Sequence, residues 1–171
     1  MLKRPWFWIT LCIATFALVA LGRLLDHDLD RHASETLDIA GAATVLSGSL
    51  WLPSQDPRAV IALVHGDGPQ DRTSGGGYAP VINHVLAQGI AVASWDKPGV
   101  GRSTGNWLDQ SMADRADETA AVLAHLKTRF ADDVAIGALG FSQAGWVLPQ
   151  LPPDAADFLV LVGPAVSWQD Q

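Results

Sequence analysis

Cysteine is almost absent from this 171-residue chain, and its one copy, Cys12, sits inside an apolar N-terminal run. A single thiol excludes both a disulfide framework and a thiolate zinc site, so the fold must rest on a hydrophobic core. Charge is scarce too, at 17% of residues, and the 11 Lys and Arg are outnumbered by 18 Asp and Glu. The net charge of −7, or −9 without the two cations Lys3 and Arg4, gives a nucleic-acid partner no electrostatic support and disfavours polyanionic substrates. No internal repeat or extended low-complexity tract is present. Apolar residues, by contrast, make up 49% of the chain, enough at this length for one domain with a substantial core.

The first clear signal is N-terminal. Lys3 and Arg4 precede an apolar stretch over 6–22, interrupted only by Thr10 and Thr15. Its length lies near the lower limit of about 17 to 25 residues for a membrane-spanning helix and exceeds the signal-peptide core of about 7 to 15. A membrane anchor and a cleaved signal both fit. Trp6 and Trp8 suit a membrane interface, while Ala20-Leu21-Gly22 forms a small-x-small cleavage pattern. Apolar residues on every side argue against a buried core helix. By the positive-inside rule the remainder is expected to be extracytoplasmic, either anchored by this helix or secreted after its cleavage. Residues 23–34, with Asp26, His27, Asp28, Asp30, Arg31 and His32, read as a solvated linker whose Asp and His spacing fixes no metal geometry. The expected division is therefore 1–22 anchor or signal, 23–34 linker and 35–171 domain.

Within the domain, strands are expected at 35–39 and 43–52, with Gly41 and Pro53 as punctuation, and these would form an opening hairpin. From residue 59 onward, apolar runs at 59–64, 90–95, 134–139 and 158–162 alternate with glycine loops and helical patterns. That rhythm predicts an α/β fold, a mainly parallel sheet with helices on both faces. One helix is expected over 112–130, opened by Ser111 and Asp114 as a capping pair and serving structure alone. A shorter one is expected over 78–88, stopped by Gly89. Gly75-Gly76-Gly77 reads as a flexible loop at the mouth of a site.

Three segments carry chemistry. His65-Gly66-Asp67-Gly68-Pro69-Gln70-Asp71-Arg72 follows the run at 59–64, and Asp96-Lys97-Pro98-Gly99-Val100-Gly101-Arg102-Ser103 follows the run at 90–95. Gly140-Phe141-Ser142-Gln143-Ala144-Gly145 lies between the run at 134–139 and an expected helix start. Small residues around Ser142 fit a turn too tight for side chains on either side, one that lifts the hydroxyl above the sheet edge with a helix N-terminus beneath. The second segment is not a phosphate-binding loop, because Asp96 and Arg102 stand where that loop needs glycine and lysine. Asp96 is instead expected to hydrogen-bond its own tight turn. Taken in order, the three segments resemble the α/β-hydrolase superfamily over 36–171, in its serine-aminopeptidase-like and esterase-like branches.

The resemblance implies a serine hydrolase acting on an ester, amide or peptide bond of a small-molecule or peptide substrate, without metal or organic cofactor. Ser142 would be the nucleophile and the main-chain N–H of Gln143 one oxyanion donor. The second donor would be Asp67, with Gly68 as the alternative, and His65 would support that loop and not act as base. The order Ser, acid, His that the resemblance calls for is not completed, since no histidine follows Ser142 and Asp154, Asp157 and Asp170 are unpersuasive acids. His84 and His125 fall in expected helices. The resemblance further implies that the chain stops after the sixth strand of an eight-stranded plan, with 158–162 at or near an open edge. Weak activity or none is therefore expected of this chain alone. The alternative is a membrane-tethered, non-catalytic binding or assembly module that keeps the early half of the fold.

Overall fold

The computed structural model describes residues 5–40 and 44–167. Lys3 and Arg4, Gly41, the expected strand start at Ala43, and Asp170 lie outside the described residues. The apolar N-terminal run forms helix α1, Pro5–Leu24. At 20 residues it is about 30 Å long, and its apolar span Trp6–Leu24, with mean hydropathy 1.9, has no part buried in the protein. Residues 26–32 are held against the domain: Asn83 donates to the Asp26 carbonyl at 2.9 Å, and His32 and His27 hydrogen-bond to Asn83 and to the Gly76 carbonyl.

Six strands make one sheet, β1 (Ala33–Ala40), β2 (Val45–Leu52), β3 (Ala59–Val64), β4 (Ile90–Trp95), β5 (Ala135–Phe141) and β6 (Phe158–Val162), in the order β1-β2-β4-β3-β5-β6. β1 and β2 form the antiparallel hairpin, β2 meets β4 antiparallel, and β4, β3, β5 and β6 run parallel. β3 is apolar throughout because both its faces are covered. Val60, Ala62 and Val64 join the core under helix α3 (Met112–Arg129), whereas Ile61 and Leu63 join the core under helix α2 (Ala79–Ala87).

Local chemistry sets the helix ends. Ser111 and Asp114 form a reciprocal capping box at the start of α3, with Lys127 and Arg129 in its last turn. Gly89 closes α2 with φ +73°, a conformation that costs other residues strain. At the other edge of the sheet, Leu159 to Val162 of β6 are 38–46% exposed.

The helix expected after Ser142 is absent. In its place stand two 3₁₀ turns, Ser142–Trp146 and Leu148–Gln150. Pro149 would lack the N–H for a bond to the Gly145 carbonyl and would crowd it, and Pro152 and Pro153 follow soon after, so an α-helix cannot propagate there. The helix-dipole contribution expected beneath Ser142 is correspondingly small.

Candidate active site

The sheet order places β4, β3 and β5 side by side and parallel, so the loops leaving their carboxyl ends, at Asp96, His65 and Ser142, emerge together. In open α/β sheets that end of the strands is where ligands bind. Ser142 leaves β5 with φ +50°, in the left-handed region that disfavours side chains, and stands exposed. Its neighbours must be small. A methyl group on Gly140 would lie 2.6 Å from the Cβ of Ala144 and 2.8 Å from Leu148, and one on Gly145 would meet the Ala165 carbonyl at 2.7 Å. The His65 loop lies against this turn: a methyl on Gly66 would stand 3.4 Å from both the Phe141 carbonyl and the Ser142 Cβ.

The two segments are also joined by side chains. Gln143 donates from Nε2 to Asp67 Oδ1 at 3.2 Å and accepts at Oε1 from Arg115 at 2.6 Å, while Arg115 also donates to the His65 carbonyl at 2.6 Å. The main-chain N–H of Gln143 falls in the first turn after the strand, where helical N–H groups have no intrahelical acceptor. The N–H of Asp67 has no acceptor among the described residues. The Asp67 carbonyl accepts from Gln70 Nε2 at 2.6 Å.

Two buried cations lie among these loops, Lys97 with 3% exposure and Arg115 with 6%. Lys97 donates to the carbonyls of Gly66 and Gly68 and sits over the Trp107 ring. Burial, aided by the nearby Arg115 charge, lowers its pKa to about 8. Glu118 faces both cations and accepts from Trp95 Nε1 and Gln110, and burial raises its pKa. Nothing local in the sequence marks any of these three for a role. α3, expected to serve structure alone, supplies two of them.

His65 is buried and stacked on Tyr78, and its Nε2 donates to the Trp95 carbonyl. Since a carbonyl can only accept, the proton belongs on Nε2, and Nδ1 is left without a partner among the described residues. Burial lowers its pKa to about 4, against the raising effect of the Trp95 carbonyl, and the charges of Lys97 and Arg115 push the same way as burial. The ring is therefore neutral at physiological pH.

Asp96 binds its own loop as expected, accepting from the Arg102 N–H, and it also pairs with Arg72 at 2.7 Å. Gly101, at φ +55°, packs against its carboxylate. His84 and His125 are exposed on their helices. Asp157 accepts from the Ile136 N–H at the amino end of β5, the opposite end of that strand from Ser142, and the Asp154 carbonyl is bound by Lys127. Among the described residues no three His, Cys, Asp or Glu side chains converge to hold a metal ion. A hydroxyl on a strained turn, with a loop of main-chain amides beside it and buried cations behind, is an arrangement suited to attack on a carbonyl carbon and stabilisation of the oxyanion.

Solved structures share this fold. An esterase from Pyrococcus furiosus is 21% identical with a TM-score of 0.63, over 78% of this chain and 51% of its own. A thermostable carboxyl esterase from Bacillus coagulans is 20% identical with a TM-score of 0.64, over 77% of this chain and 44% of its own. A CIB-like hydrolase from Thermoplasma acidophilum is 24% identical with a TM-score of 0.58, over 81% and 66%. The chain thus spans about half the length of the two esterases. The family model described as serine aminopeptidase, S33, matches residues 55–171, and with the three loops on adjacent parallel strands this chain belongs to that family of the α/β-hydrolase superfamily.

Proposed function

We propose that the chain carries the nucleophile half of a serine hydrolase acting on an ester, amide or peptide bond, with small esters the first choice because two similar structures are esterases. Ser142 is the nucleophile in this reading, and the main-chain amides of Gln143 and Asp67 receive the oxyanion. The observation that carries it is the strained, exposed Ser142 at the carboxyl end of β5 with Gly66 packed against it. Helix α1 tethers the domain to a membrane or directs its export, leaving the domain extracytoplasmic.

No histidine follows Ser142, and His65 is neutral, buried and bonded to Trp95. Turnover by these residues is therefore expected at the level that oxyanion stabilisation and binding alone supply, about 10³ to 10⁴ over water. The test is hydrolysis of p-nitrophenyl acetate and labelling by a fluorophosphonate, using the full chain in detergent micelles beside Ser142→Ala. Slow hydrolysis that Ser142→Ala abolishes supports the reading. Fast hydrolysis abolished by the same change would reveal a base within these residues and overturn the low-turnover expectation. If Ser142 contributes to neither reaction, the hydrolase reading fails in favour of a membrane-tethered, non-catalytic module.

A further inference from the structure

The peptide unit between Gly66 and Asp67 contains both a carbonyl bound by a buried ammonium and an N–H with no acceptor among the described residues. A trans peptide is planar, so its C=O and N–H point in opposite directions. Whatever holds the Gly66 carbonyl therefore aims the Asp67 N–H. We infer that Lys97 is a positioning residue for the oxyanion loop: by drawing the carbonyls of Gly66 and Gly68 to one side, it turns the Asp67 amide the other way, with Arg115 fixing the preceding His65 carbonyl and the Gln143 side chain. This rests on the reading of Ser142 as nucleophile.

The geometry also separates the two candidate donors. The Gly68 N–H shares a peptide unit with the Asp67 carbonyl, which is held by the neutral Gln70 amide at 2.6 Å. The peptide unit bearing the Asp67 N–H is instead held by a charged donor at 2.7 Å, and charge-assisted hydrogen bonds are the stronger class. Lys97 is an unusual residue to bury here. Arg115 repels it, while Asp67 from its own loop and Glu118 from α3 attract it, with the Trp107 ring above. His65 also lies within reach of its field. With its pKa lowered to about 8, the ammonium loses its charge, and the loop its charged clamp, in mildly alkaline solution.

The test follows the carbonyl carbons directly. In carbon-detected NMR spectra of the full chain in detergent micelles, the Gly66 and Gly68 carbonyl shifts are expected to titrate between pH 6 and 10 with a midpoint near 8. Lys97→Arg, which keeps its charge throughout this range, is expected to abolish that titration while the rest of the spectrum stays folded. Carbonyl shifts that do not move with pH, or that still titrate in Lys97→Arg, would overturn the inference. In the hydrolysis assay Lys97→Met is expected to lower Ser142-dependent kcat about 10²-fold with KM unchanged. An unchanged kcat would overturn the positioning role. Titrating carbonyls in a chain without any Ser142 chemistry would keep Lys97 as the clamp of the loop and count instead against the nucleophile reading.

Discussion

Gln143 and Asp67 are hydrogen-bonded through their side chains, Nε2 to Oδ1 at 3.2 Å, although 76 positions separate them. These are the two residues whose main-chain amides are proposed to receive the oxyanion, so each donor's residue helps to seat the other. Gln143→Ala keeps its own N–H but releases Asp67 and leaves Arg115 an acceptor short. The expected result is a fall in Ser142-dependent hydrolysis of about 10-fold to 10²-fold, measured as kcat. The accompanying stability loss in urea unfolding should be about 1–3 kcal/mol.

Ser142 holds φ at +50°, a conformation that costs an L residue about 1–2 kcal/mol and glycine nothing comparable. Ser142→Gly should therefore abolish fluorophosphonate labelling while leaving the unfolding free energy from urea titration unchanged or raising it by up to about 1 kcal/mol. A marked loss of stability would show that the hydroxyl, and not the turn, holds this segment together.

Gly140 has no room for a side chain, since a methyl there would lie 2.6 Å from Ala144 and 2.8 Å from Leu148. Gly140→Ala is expected to destabilise by about 1–3 kcal/mol through overpacking and to lower the thermal midpoint. The turn also loses its fit, so the Ser142 reaction should slow in the same variant.

His65 links acid sensitivity to this loop. Burial lowers its pKa from 6.5 to about 4. Between those values the unfolded chain takes up a proton that the folded chain refuses. The stabilisation present in full above pH 6.5 is thus lost as pH falls toward 4, by about 3 kcal/mol. Urea unfolding at pH 7 and pH 4.5 should show this decline in the parent chain. In His65→Gln it should be much reduced, because glutamine can donate to the Trp95 carbonyl but does not titrate.

Asp96 behaves in the opposite sense to an isolated buried acid. Burial alone would raise its pKa, but the Arg72 guanidinium and the amides of Arg72 and Arg102 outweigh that and hold it below the ordinary carboxylate range. Its contribution is therefore complete above the unfolded carboxyl pKa and lost only as pH falls through the lower folded value. Asp96→Asn strands the largely buried Arg72 and should cost about 3–5 kcal/mol at neutral pH.

The strands, the order of the three loops and the capping box of α3 were legible in the sequence because each rests on short-range chemistry. An apolar run ending in glycine, or a serine three residues before an aspartate, declares itself within one or two turns of chain. So does the small-residue requirement around Ser142. The 3₁₀ turns after Ser142 are written there too, in Pro149 and the Pro152-Pro153 pair, whereas the elbow pattern by itself implies a helix.

What only the tertiary structure decided is which side chains sit behind the loops. Arg115 meets His65 across 50 positions and Gln143 across 28, and Lys97 meets Gly66 across 31. In the sequence each is an ordinary cation, one at the start of a helix and one in a glycine loop. Their burial follows from the placing of β3 between β4 and β5, which brings the carboxyl ends of separate strands together and closes water out beneath them. Local propensity chooses the elements. The pairing of strands, a non-local choice, turned two solvated charges into the buried supports of one loop.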